Sequence, residues 1–228
     1  MNIPEEVLDR SKNNTAPDSS KLLGLGFKTW YLLLLRPIED YLIESEVHPN
    51  ILTVTTLIVS IIAGIAFHYG LIFLGGILIL AGSTFDIFDG RVARAQNVSS
   101  QSGAFFDSCL DRISEAFIYL GILSYFQHGF FALIVFLILA STMMVSYTKA
   151  RAEGLKIKCD VGIMQRTERV VYLGVFSVFN FIGNEICNIL DYKQKDMLLK
   201  FALVILLTFS VITVYQRMKH VMNCLQND

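Results

Sequence analysis

Long apolar runs constrain this chain more than any other feature, and two of them carry acids. Residues 129–147 (GFFALIVFLILASTMMVSY) and 198–215 (LLKFALVILLTFSVITVY) are nearly free of charge. A bilayer core about 30 Å thick takes roughly 20 such residues per helix. The single-residue alternation of a transmembrane barrel is absent. Composition agrees: 17% of the 228 residues are charged, where soluble domains hold about a quarter, and the mean hydropathy is 0.53.

Six membrane helices are predicted, at 51–69, 71–90, 103–126, 129–149, 168–190 and 198–217. Gly70, the His128–Gly129 pair and the polar stretch from Asp191 to Asp196 mark the turns on one side. Ahead of the first span, residues 27–46 are apolar and then polar, with Pro37 interrupting them. That run is too short to cross and suits an interfacial helix, with Trp30 and Tyr31 near headgroup level. The expected fold is all-α: a polytopic membrane protein of six transmembrane helices plus an N-terminal interfacial amphipathic helix. Its expected parts are a flexible segment at 1–20, a juxtamembrane helix at 21–47, a six-helix domain at 48–220 and a cytoplasmic tail at 221–228.

Basic residues set the orientation. Five lie in the N-terminal arm, Arg91 and Arg94 follow span two, six follow span four, and Arg217 and Lys219 begin the tail. The opposite loops hold only Lys193, Lys195 and Lys200. The positive-inside rule places both termini in the cytoplasm of a cell-membrane protein. The net charge of −1 says little about partners, and no nucleic acid is expected among them. Cys109, Cys159, Cys187 and Cys224 show no disulfide or metal spacing.

Carboxylates inside hydrocarbon cost a few kcal/mol each on insertion scales, so they normally have a task. Asp86 and Asp89 end span two, three residues apart; Asp107 and Asp111 lie four apart in span three. Each pair shares a helix face. The short connection RVARAQNVSSQS lets the two helices be antiparallel neighbours, which brings four acids together near the cytoplasmic surface. Four such anions cannot all stay ionised in a low dielectric. Two divalent cations, Mg²⁺ or Mn²⁺, would neutralise them and suit phosphoryl chemistry. Gly90 and Gly103 leave room for a ligand, and Arg94, one turn beyond Gly90, can hold a diphosphate through its planar fork. An ion carrier would also use buried acids, but it has no need of these glycines and this arginine at fixed intervals.

The run Asp86-x₂-Asp89-Gly90-x₂-Ala93-Arg94-x₈-Gly103-x₃-Asp107-x₃-Asp111 resembles the complete signature of the CDP-alcohol phosphotransferases. The preceding Pro49-Asn50-x-x-Thr53 resembles the family's lead into the first span, with His48 where Thr is more usual. The resemblance implies that Asp86, Asp89 and Asp107 are metal ligands, with Asp111 near the second metal and acting as general base. It implies a CDP site shaped by Asp86, Gly90, Arg94 and Gly103, with Asn50 and Thr53 nearby, and a homodimer.

The acceptor is read from the basic stretches Ser146-Tyr147-Thr148-Lys149-Ala150-Arg151 and Gln165-Arg166-Thr167-Glu168-Arg169. Ser146, Lys149, Arg151, Arg166 and Arg169 would hold a small anionic acceptor beside the acids. These stretches resemble those of phosphatidylinositol-phosphate and archaetidylinositol-phosphate synthases, which implies transfer from a CDP-lipid (CDP-diacylglycerol or CDP-archaeol) to inositol phosphate with release of CMP. Glycerol 3-phosphate and serine are the alternative acceptors. Ordinary positive-inside flanking of spans four and five is the competing reading of the same residues.

Overall fold

The structure, a computed structural model, describes residues 25–191 and 195–226. The expected flexible segment at 1–20 and the Trp30 side chain lie outside the described residues. Every described element is an α-helix: α1 (Leu25–Glu44), α2 (Pro49–His68), α3 (Ile72–Ala95), α4 (Gln101–Phe126), α5 (Phe130–Gly154), α6 (Arg166–Ile189) and α7 (Met197–Gln226). The apolar runs become helices because backbone groups in a bilayer must bond within their own segment. Residues 221–226, expected as tail, continue α7.

Local chemistry sets the ends. Pro49 opens α2, and the His48 imidazole accepts the Asn50 N–H at 3.2 Å, the capping task a Thr would do. Ser100 caps α4 by accepting the Gly103 N–H at 3.1 Å. Gly70 and Gly129, at φ of 72° and 95°, make two of the turns between helices.

Among the described residues, five helices are long and apolar enough to cross a membrane: α2, α3, α5, α6 and α7. At 26 residues α4 has the length, about 39 Å at the usual rise per residue, but it carries Asp107, Asp111, Arg112 and Glu115. The six long helices pack as a closed ring in the order α2, α3, α6, α7, α5, α4 and back to α2. Its core takes Phe67, Ile79, Ile122, Val135, Leu173 and Leu203, all 2% exposed or less, one from each helix. Ile58, Leu133, Phe136 and Val211 face outward. The ring is tightest between α2 and α4: a Cβ on Gly64 would stand 2.5 Å from the Phe117 carbonyl oxygen, and one on Gly121 would overlap the Gly64 backbone.

Helix α1 lies against α3, burying Leu35 on Phe88 and Val92. The Tyr31 and Thr84 hydroxyls bond, and Arg91 Nε donates to Glu39 at 2.8 Å. Leu34, Ile38 and Tyr41 remain exposed on its other side. At the ring end away from the acids, Asp196 accepts from Tyr125 (2.6 Å), Asn180 (2.8 Å) and Asn184 (3.1 Å), so those polar residues of span five serve the start of α7.

Candidate active site

The two acid pairs meet, but not by the packing expected. Helices α3 and α4 do not pack along their lengths; both lean on α2, which stands between them. Five residues, 96–100, join them, and only their near ends approach. The gap is bridged by side chains: one carboxylate oxygen from each of Asp86, Asp89 and Asp107 falls within 4.8 Å of the others. Asp89 is 6% exposed and accepts the Thr53 hydroxyl at 2.9 Å, so α2 fixes the orientation of an acid on α3. Asp107 Oδ1 is buried without a hydrogen-bond partner. Three converging carboxylates, one with an unsatisfied buried oxygen, form a hard-oxygen donor set that suits a divalent cation of the Mg²⁺ or Mn²⁺ kind.

Asp111 stands one turn along α4, outside that triad. It receives Arg166 Nη2 at 3.0 Å and lies 3.6 Å from Arg112 Nη1, which also donates to the Ser108 carbonyl at 2.7 Å. Arg166 Nη1 reaches both Asp86 oxygens, at 2.7 and 2.8 Å. One guanidinium from the start of α6 thus joins α3 to α4, and its Nε is buried with no partner. The sequence reading assigned Arg166 to the acceptor; the fold sets it directly on the acids.

The other expected residues divide. Arg94 folds back so that Nη1 lies 3.4 Å from where a Gly90 Cβ would stand, which keeps the guanidinium beside the acid turn. Asn50 is exposed at the start of α2, and Gly103 belongs to the α4 cap. Ser146 is half-buried and Arg151 exposed at the end of α5. Lys149 lies 3.4 Å from Asp160 and 3.9 Å from Glu153. Slight burial pushes the Asp160 carboxyl up, but Lys149 and then Lys158 outweigh it and hold the group below its ordinary range. Arg169, expected in the acceptor pocket, is instead 1% exposed and bound to Glu115 through Nε (2.7 Å) and Nη2 (3.0 Å), with Nη1 on the Met164 carbonyl. Its fork is committed inside the ring.

Sequence reasoning passed over Glu115, although it lies four residues beyond Asp111 on the same face and repeats the spacing of Asp107 to Asp111. It also counted Arg217 as a tail charge. That side chain is 4% exposed and donates to the carbonyls of Val161 and Val145. With Thr213, which accepts the Met164 N–H at 2.9 Å, it ties the loop before α6 to α7.

This geometry has known counterparts. A family model described as CDP-alcohol phosphatidyltransferase matches residues 46–221. The chain belongs to that family. It is therefore a membrane phosphatidyltransferase, and the matched region contains the acid run on α3 and α4. The archaetidylinositol phosphate synthase of Methanothermobacter thermautotrophicus is 31% identical over 206 residues, 90% of this chain and 97% of that one. The phosphatidylinositol phosphate synthase of Streptomyces avermitilis is 31% identical over 221 residues, 93% of this chain and 88% of that one. Crystal structures of Mycobacterium tuberculosis phosphatidylinositol phosphate synthase share the fold at 25% identity. With CDP-DAG bound, the TM-score is 0.68, covering 81% of this chain and 92% of that one. In complex with manganese and citrate, it is 0.69, covering 82% and 88%.

Proposed function

We propose that this phosphatidyltransferase moves the lipid-bearing phosphate of a CDP-lipid to a hydroxyl of inositol phosphate and releases CMP. The observation that carries the reading is Arg166, a cation fixed on Asp86 and Asp111 with an unspent buried Nε–H. That guanidinium spends both Nη groups on the acids and keeps one N–H for an anion drawn to the same cluster of charge. The inositol phosphate synthases among the relatives support the same acceptor.

Asp86, Asp89 and Asp107 would hold two divalent ions together with Asp111. Bound there, Mg²⁺ or Mn²⁺ supplies neutralisation of the acids and stabilises charge developing on the transferred phosphate. Arg94, beside Gly90, grips the diphosphate, with Gly103, Asn50 and Thr53 around the CDP moiety. Ser146, Lys149, Arg151 and Arg166 draw in the acceptor phosphate. Asp111 takes the proton of the attacking hydroxyl, the new oxygen–phosphorus bond forms at the phosphorus bearing the lipid, and the bond to the CMP oxygen breaks. The lipid tails stay in the bilayer beside the ring. In this reading α4 is the sixth crossing, both termini and the site face the cytoplasm, α1 lies along that leaflet, and two copies pair as a homodimer.

The test offers purified enzyme a CDP-lipid with inositol phosphate, glycerol 3-phosphate or serine, and measures CMP. The expected outcome is a kcat/KM for inositol phosphate at least tenfold above the others, about 1.4 kcal/mol of discrimination. Preference for glycerol 3-phosphate overturns the acceptor; no CMP with any acceptor overturns the reaction.

A further inference from the structure

Helices α4 and α6 stand across the ring from one another, each packed on other neighbours. Two ion pairs join them nonetheless. Asp111 meets Arg166 at 3.0 Å, and one turn deeper Glu115 meets Arg169 at 2.7 Å. The carboxylates are four residues apart on α4 and the arginines three apart on α6, so the contacts are successive rungs between the same two faces.

The rungs differ in kind. The upper one is partly open, with side chains 13% and 22% exposed, and lies at the acids. The lower one is sealed, at 5% and 1%, and the bidentate geometry satisfies both Glu115 oxygens. Burying two charges is a poor way to gain stability, because desolvation offsets most of the attraction and an apolar pair of equal volume does as well or better. What such a pair gives is geometry. A two-bond fork fixes separation and angle between two backbones that do not touch, and Arg166 leaves α6 less than one turn from its anchor.

We infer that Glu115 is a positioning residue. Its buried pair with Arg169 is a strut across the ring that holds α6 at the distance from α4 at which Arg166 meets an anionic acceptor. The inference rests on the acceptor reading above, since it assigns Glu115 an effect on acceptor affinity. It gives Arg169 no direct contact with substrate.

The experiment uses the full chain in lipid nanodiscs and compares Glu115→Gln, Arg169→Met and the double variant Glu115→Leu/Arg169→Met. Melting temperature, acceptor KM and CDP-lipid KM are measured, with whichever anionic acceptor the unaltered enzyme uses. The double variant removes both charges and restores apolar packing, so its melting temperature is expected close to that of the parent. Its acceptor KM is nevertheless expected to rise about tenfold or more, with the CDP-lipid KM within about twofold. Glu115→Gln, which leaves Arg169 in place, is expected to raise the acceptor KM as much as Arg169→Met does, and the double no further. A double variant with the parent's acceptor KM overturns the strut and leaves a purely structural pair. A normal acceptor KM in Glu115→Gln beside a raised one in Arg169→Met overturns it in favour of direct contact by Arg169. If the double variant does not fold, Glu115→Gln alone decides by the same two KM values. Failure of the acceptor reading shows separately, as an unaltered enzyme that prefers glycerol 3-phosphate or serine to inositol phosphate.

Discussion

Replacing Thr53 by Val tests whether α2 belongs to the metal site or to the nucleotide site. The substitution preserves shape and β-branching and removes only the hydroxyl that donates to Asp89 Oδ2 at 2.9 Å. Asp89 is 6% exposed, so solvent does not replace the lost bond. A hydrogen bond to a charged group contributes about 1.5–3 kcal/mol, and losing the group that orients a metal-binding carboxylate lowers metal affinity about 10- to 100-fold. The two figures agree, since 1.4 kcal/mol is about a factor of ten. The assay titrates Mn²⁺ into the purified protein without substrate, by calorimetry, and repeats the titration on CMP release. Both midpoints are expected to move up by that factor, with the CDP-lipid KM at saturating metal within about twofold. An unchanged metal midpoint with a raised CDP-lipid KM would refute the reasoning and return Thr53 to direct contact with the nucleotide.

Asp111→Asn keeps size and hydrogen-bonding capacity but cannot take a proton; CMP release is expected to fall about 100- to 10,000-fold in a protein that still melts cooperatively, and appreciable activity would remove Asp111 from the general-base role. Orientation is checked with single cysteines at Asn97 and Gln127, in the turns at opposite ends of α4: a membrane-impermeant maleimide is expected to label Asn97→Cys only from the cytoplasmic side and Gln127→Cys only from the other, and the reverse pattern would invert the topology.

The helices were legible because hydrocarbon imposes one solution on a long apolar run, and each predicted span has its helix within a few residues at the end away from the acids. Overshoot falls at the site end, where α3 runs to Ala95, α5 to Gly154 and α7 to Gln226. Hydropathy stops at the first charges, whereas a helix continues while its carbonyls find partners. Arg217 shows the difference. In sequence it ends the apolar run, but it donates inward to two backbone carbonyls and so belongs to the core of the ring. The acid pairs were legible for a related reason: charge in a span is rare, and spacings of three and four put it on one face.

What sequence could not supply was the choice of partners, because ring order decides that, and backbone proximity decides ring order. Two arginines three residues apart at the start of α6 look alike, and a basic flank explains both. The fold separates them through glycines. A Cβ on Gly76 would stand 2.8 Å from Ser177 Cβ and 2.9 Å from the Gly174 carbonyl oxygen, so α3 and α6 touch at backbone distance. From that contact Asp86 lies ten residues along α3 and Arg166 eight residues back along α6, rises of about 15 and 12 Å toward the same end of the ring. Their side chains then have to meet, and Arg166 is drawn to Asp86. Arg169, one turn deeper, has no acid on α3 to face and spans the ring to Glu115. The placement of Arg166 is thus written partly in a small-residue contact far from the acids, and a Gly76 or Gly174 side chain that forced α3 and α6 apart would loosen Arg166 before it touched the Asp86, Asp89 and Asp107 cluster.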